Sequence, residues 1–168
     1  MSKPKLSKRH PLSKKTLRAL LEEVIKTYPK FPLANPELVE EAAAGGTIMY
    51  IFDGVPSLFR VSGRLVPTLR LLAFKGYEWL PHIYIDRGAT RAVARGADLM
   101  LPGVRGVVGE FKPGDIVVAV DEEAKTPVMV GEALIDSRAV SESIGKSVKG
   151  KAVKSIHYIN DELTPYIV

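Results

Sequence analysis

From Pro81 onward the chain consists of short apolar runs separated by glycines and turn residues, and this texture admits few folds. HIYID (82–86), DLMLPGV (98–104), DIVVAVDEE (115–123), TPVMVGEAL (126–134) and AVKSIHYIN (152–160) are short runs set apart by turn signals. They read as strands alternating apolar and polar side chains, as in a small barrel or sandwich. A short helix near 88–95 interrupts them early, and a second near 138–144 comes late. Pro81 itself marks a seam.

Before the seam the pattern differs. Leu17, Leu20, Leu21, Val24 and Ile25 fall at helical spacing within 12–28, with Ser13 as N-cap. Pro29, Pro32 and Pro36 then force an extended connector. Strand-like runs follow at 37–43, 47–52 and 57–61. Gly45-Gly46 and Asp53-Gly54 separate them, and Asp-Gly is a strong hairpin signal. Val66 and Pro67 read as the opening of a second helix ending at Gly76. The expected class is α+β, with an N-terminal α+β domain over 1–80 and a β-rich domain over 81–168.

Charge is unevenly divided. Residues 1–80 carry 13 Lys+Arg against 7 Asp+Glu, and residues 81–168 carry 11 against 12. The net +5 of the chain therefore resides in the first part, and a basic excess favours anionic partners such as RNA. With no cysteine, disulfides, thiol nucleophiles and Cys-type zinc sites are excluded, and a reducing cytoplasm fits. No apolar run approaches the roughly 20 residues of a membrane span, and MSKPKLSKRH lacks the core of a signal peptide.

The segment richest in chemistry is DRGATRAVARGADLMLPGVRG, Asp86 to Gly106. Arg87, Arg91 and Arg95 stand at i, i+4, i+8 and share one face if the segment is helical, leaving Ala92 and Val93 for the core. Gly96 stands where a left-handed cap is needed. Gly88, Gly103 and their neighbours let a ligand approach the backbone, while guanidinium groups meet phosphates and stack on bases. A solvated helix face beside ordinary turn glycines has the same spacing, so both readings stand on the residues alone.

Other candidates are weaker. Lys3, Lys5, Lys8, Arg9, Lys14 and Lys15 form either an rRNA-phosphate clamp or a mobile solvated arm. Lys146, Lys149, Lys151 and Lys154 form a second basic cluster, read as a solvated loop with auxiliary phosphate contact as the alternative. His10, His82 and His157 form no metal-spaced pair, and His157 reads as structural. Asp121-Glu122-Glu123 reads as a hairpin turn, and Tyr77 and Trp79 as packing rather than a base-stacking platform. There is no Walker loop or dinucleotide fingerprint. The expectation is a chain that is not an enzyme and holds no cofactor or metal.

Several of these residues also carry a resemblance. Asp86-Arg87-Gly88-Ala89, Gly96-Ala97-Asp98, Leu101-Pro102-Gly103-Val104, Pro127-Val128-Met129-Val130-Gly131 and Ile156-His157-Tyr158 resemble, in that order, a PUA domain. With PTLRLL (67–72), Leu80-Pro81-His82 and IHYIND (156–161), the chain is similar to the MCT-type (malignant T-cell amplified sequence) translation proteins and their archaeal relatives. The resemblance implies a PUA-like pseudo-β-barrel as the C-terminal domain. It also implies RNA binding through Arg87, Gly88, Ala89, Gly96, Ala97, Leu101, Pro102, Gly103 and Val104, which overlaps the arginine segment with Arg91 and Arg95. The implied role is handling tRNA or rRNA on the small ribosomal subunit, in reinitiation or recycling, with a density-regulated-type partner protein. An accessory subunit of an RNA-modification enzyme and a protein–protein adaptor are the alternatives.

Overall fold

A computed structural model describes residues 4–168. The chain divides into two compact units, one of residues up to Trp79 together with Glu162–Val168, the other of Leu80–Asp161. In chain order the first unit contains β1 (Ser7–Pro11), α1 (Lys14–Thr27), β2 (Val39–Ala44), β3 (Thr47–Phe52), β4 (Val55–Val61), β5 (Arg64–Pro67) and α2 (Leu69–Lys75). The second contains β6 (His82–Ile85), α3 (Arg87–Val93), β7 (Leu99–Met100), β8 (Val104–Val108), β9 (Ile116–Asp121), β10 (Pro127–Ala133), α4 (Ser137–Ser143) and β11 (Lys151–Tyr158). A closing helix, α5 (Thr164–Ile167), groups with the first unit, whereas the sequence reading assigned it to the second.

The first unit is an antiparallel meander in the order β1-β2-β3-β4-β5. Two of its turns have left-handed backbone at both central residues, Asp53 and Gly54 (φ 49° and 83°) and Ser62 and Gly63 (φ 48° and 81°). These are the conditions of a type I′ hairpin, whose twist matches that of the strands. The second of them explains a correction. Val66 and Pro67 do not open a helix; they belong to β5, paired with β4 through Phe59↔Val66 and Leu58↔Pro67. Helix α2 starts after Thr68, whose hydroxyl accepts from the Leu71 N–H (3.1 Å) and donates to the Pro56 carbonyl (2.6 Å).

The described part of the basic N-terminal segment is not a mobile arm. Ser7–Pro11 forms edge strand β1 against β2, and Arg9 makes a two-pronged pair with Glu40 at 3.0 and 2.8 Å. Lys14 and Lys15 belong to α1, while Lys3 lies outside the described residues. Trp79 packs edge-on against Tyr28 and Phe31, with ring centroids 5.7 and 5.6 Å away, and donates its indole N–H to Gly76. Tyr77 is buried.

In the second unit a six-stranded sheet runs β7-β11-β10-β9-β6-β8 and curls into a half-barrel. All neighbours are antiparallel except β6 and β9. The α+β class and the PUA-like barrel are therefore both present. The central strands depart from the expected alternation. Ile116–Val120 is buried at every position, as are Pro127–Gly131, because both faces are covered. His157 is buried with its Nδ1 2.7 Å from Asp161 Oδ2, and Asp121–Glu123 turns the β9–β10 hairpin. Among the described residues no helix is long and apolar enough to cross a membrane.

Candidate nucleic-acid interface

Helix α3 begins because Asp86 caps it: its Oδ1 accepts from the Ala89 N–H at 2.8 Å, filling an otherwise unpaired donor of the first turn. It ends after two turns in a Schellman-type closure. Ala97 N–H returns to the Ala92 carbonyl and Gly96 N–H to the Val93 carbonyl. Gly96 sits at φ 95°, the left-handed cap expected from the sequence. A Cβ there would also press on the Tyr158 ring at 3.0 Å.

Arg87 and Arg91 lie on α3 and are exposed, four residues apart. Arg95 is exposed in the closing turn, beyond the helix, so the three guanidinium groups do not share one continuous helical face. Ala92 is exposed rather than core-facing, and only Val93 is buried. Arg87 contacts Glu123 of the β9–β10 turn at 3.3 Å, a pair open to water on both sides. The same turn is tied to α3 by the Thr90 hydroxyl, which donates to Asp121 at 2.7 Å. The Ala124 N–H and then that hydroxyl hold the Asp121 carboxyl below the usual range.

Opposite α3 stand β7 and the one-turn 3-10 helix Leu101–Gly103. Between them lies a groove of about 270 Å³ lined by Ala89 and Val93 on the helix side and Met100, Pro102 and Gly103 on the other. Gly103 is there for packing: a Cβ on it would overlap that of Ala89. Gly88 differs, having only Asp86 Oδ1 at 3.5 Å near such an atom, so its backbone stays approachable. Leu101 and Val104 are buried, and their side chains hold the wall in place rather than face a ligand. Pro102 and Ala97 are exposed.

Two carboxylates that the sequence reading left out of the site also line the groove. Asp86 Oδ2 is 2.8 Å from Arg105 Nη2. Asp98 accepts from the Ser155 N–H at 2.9 Å and from Lys151 Nζ at 3.1 Å. The backbone donor first, and then the lysine, hold the Asp98 carboxyl below its ordinary value against the opposing effect of burial. The signal that could have marked Asp86 is an Asp standing directly before the helical segment, as an N-cap does; nothing local marks Arg105.

Strand register brings part of the second basic cluster beside the groove wall. Pairing of β11 with β7 sets Lys151 opposite Met100 and Val153 opposite Leu99, and the Leu101 N–H bonds to the Gly150 carbonyl. Lys149, Lys151 and Lys154 are exposed, on or just before the strand that borders the groove wall. Met100, 45% exposed, stands beside them. The site is thus an apolar slot with an acid fixed at its helix-capping end and another at β7. Arginines lie on the helix side and lysines on the strand side.

Both units of the chain have counterparts in known proteins. Residues 81–159 match the family model of the PUA domain, and residues 8–75 match that of a domain of unknown function, DUF1947. An uncharacterized protein of Methanocaldococcus jannaschii is 31% identical over 160 residues, covering 94% of this chain and 96% of the relative. Translation machinery-associated protein 20 of Saccharomyces cerevisiae is 29% identical over 90% of this chain and 88% of its own length. Human malignant T-cell-amplified sequence 2 is 37% identical over 60% of this chain and 55% of its own. A crystal structure of a PUA domain from Aeropyrum pernix, in a tartrate complex, superposes with a TM-score of 0.87 at 37% identity, covering 94% of this chain and 90% of that one. With a DUF1947 unit followed by a PUA domain, the chain belongs to the MCT-type family of PUA-domain proteins.

Proposed function

We propose that the chain is a non-catalytic, cytoplasmic RNA-binding translation factor that holds a single-stranded end of tRNA, or an rRNA segment, in the groove beside α3. The observation that carries the reading is the partition of charge around the slot. The carboxylates inside, each paired with one cation, keep lone pairs that accept hydrogen bonds from base amino groups and ribose hydroxyls. Cations outside, Arg87, Arg91 and Arg95 on one side and Lys149, Lys151 and Lys154 on the other, suit the phosphates. The slot, at about 270 Å³, is slightly smaller than the roughly 300–1,000 Å³ of drug-sized pockets and suits one unstacked nucleotide. Met100 offers that base an apolar surface, and Gly88 an open backbone.

The translation-associated name of the yeast relative supports a role in translation; the family resemblance of the sequence extends that reading to the small ribosomal subunit, in reinitiation or recycling, with a density-regulated-type partner protein. Residues 81–168 are nearly neutral, at 11 basic against 12 acidic side chains, so affinity rests on the local arrangement of cations rather than on the unit's total charge. The test is a gel-shift titration of tRNA with the Arg87→Glu/Arg91→Glu variant. Most binding should disappear while the thermal unfolding transition stays in place, and binding by the unaltered protein should weaken steeply with salt. Undiminished tRNA affinity in the double variant overturns the groove assignment.

A further inference from the structure

Helix α1 carries two apolar stripes, of which the first unit uses one. Leu20 and Val24 are buried, at 4% and 0% exposure. Leu17, Leu21 and Ile25 form a second line at four-residue spacing; the first two are half-buried and Ile25 is 39% exposed. Rolling the helix to cover this second line is opposed at two points. The Tyr28 hydroxyl donates to the Leu65 carbonyl at 2.5 Å, and Glu23 takes both prongs of the Arg60 guanidinium at 2.7 and 2.8 Å. The stripe therefore stays outward, leaving Leu17, Leu21 and Ile25 as an apolar line open to a partner.

The surroundings of the stripe define the partner. Lys14, Arg18 and Lys26 flank it, and Glu22 is the one acid lining the same depression, giving three positive charges against one negative. Glu23, the other acid of the helix, has its charge engaged by Arg60. Two copies of the chain packing stripe to stripe would bring two net-positive rims together, which disfavours self-association. A nucleic acid would meet the cations but leave the leucine and isoleucine surface without an apolar counterpart.

We infer that the outer face of α1 docks an amphipathic helix of a partner protein, one with an apolar ridge bordered by Asp and Glu. Leu17, Leu21 and Ile25 receive the ridge as in other helix-on-groove complexes, and the basic rim steers the approach and sets register. The surface belongs to the first unit and is independent of the RNA reading of the second.

The test uses the full-length protein with a photoreactive benzoylphenylalanine in place of Ile25, irradiated in extract of its host, and the adduct mapped by mass spectrometry. The attached segment should be an acidic amphipathic helix. A synthetic peptide of that segment should bind the unaltered chain, with affinity falling on the order of tenfold for Ile25→Glu and again for Arg18→Glu/Lys26→Glu. The charge variant changes only exposed side chains, so its effect separates docking from folding. Binding of tRNA should be the same in all three proteins, which distinguishes failure here from failure of the RNA site. An adduct with RNA, with a second copy of the chain or with a segment lacking acidic flanks overturns the proposal, as does the absence of any adduct above the unirradiated control.

Discussion

Lys151 Nζ lies 3.1 Å from Asp98 Oδ2, a pairing of residues 53 positions apart that fastens the last strand of the second unit to the wall of its groove. The neighbouring oxygen of Asp98 takes the Ser155 N–H at 2.9 Å, so one carboxylate secures two points of β11. Asp98→Ala removes both hydrogen bonds and should cost about 1–2 kcal/mol in urea unfolding at neutral pH. Because the native carboxyl is held below its ordinary value of 3.8, the advantage of the unaltered protein is complete above about pH 4. It should fade as the pH falls further and the folded-state carboxyl takes up a proton. A gap between the two proteins that widens on acidification would contradict this account.

Glu123 competes for Arg87 with any incoming phosphate. Both side chains are about two-thirds exposed, so the pair contributes little to stability. Glu123→Gln should leave the melting temperature unchanged and raise tRNA affinity about two- to threefold at low salt, with the gain shrinking as salt screens the site. Filter binding at two ionic strengths checks both parts.

Gly103 is fixed by the helix across the groove. A methyl group at this position would overlap the Cβ of Ala89, which is borne directly on the backbone and cannot rotate away. Gly103→Ala should cost about 1–3 kcal/mol and force α3 and the 3-10 turn apart. Adding Ala89→Gly to Gly103→Ala should restore much of the stability, as a double-mutant cycle would show.

The strand-side lysines should act on affinity alone. Replacing Lys149 and Lys154 with Ala removes two exposed cations without touching the bond between Lys151 and Asp98. RNA binding should weaken, and the slope of log K against log salt should fall by roughly one for each phosphate that is no longer neutralised. An unchanged slope would remove the strand side from the RNA path.

How far the sequence foretold these features depended on how local each one is. The hairpin at Asp53-Gly54, the caps at Ser13 and Gly96 and the short helices near 88–95 and 138–144 rest on signals within a few residues. Strand β5 was missed because Val66-Pro67 suits a helix start as well as an edge strand, and only the Ser62-Gly63 turn decides between them. Strand β1 was hidden by its charge: all five residues are exposed, leaving no apolar alternation to read. Within the candidate site the spacing of Arg87 and Arg91 was legible. The early end of α3 before Arg95 was not, and neither was the burial of Leu101 and Val104. That Lys151 stands beside Met100 follows from a strand register formed across half the domain, which no local pattern encodes.

The pairing of β7 with β11 bears on when during synthesis the protein becomes competent. The groove wall at Leu99 and Met100 finds its sheet neighbour only in the final strand, so a ribosome must release residues 151–158 before the slot exists. Long-range pairing of this kind is slow to nucleate. A nascent chain still tethered through β11 would display the arginines of α3 without the sheet neighbour of the opposite wall. Ordering of the groove wall is thereby postponed until residues 151–158 are free to pair.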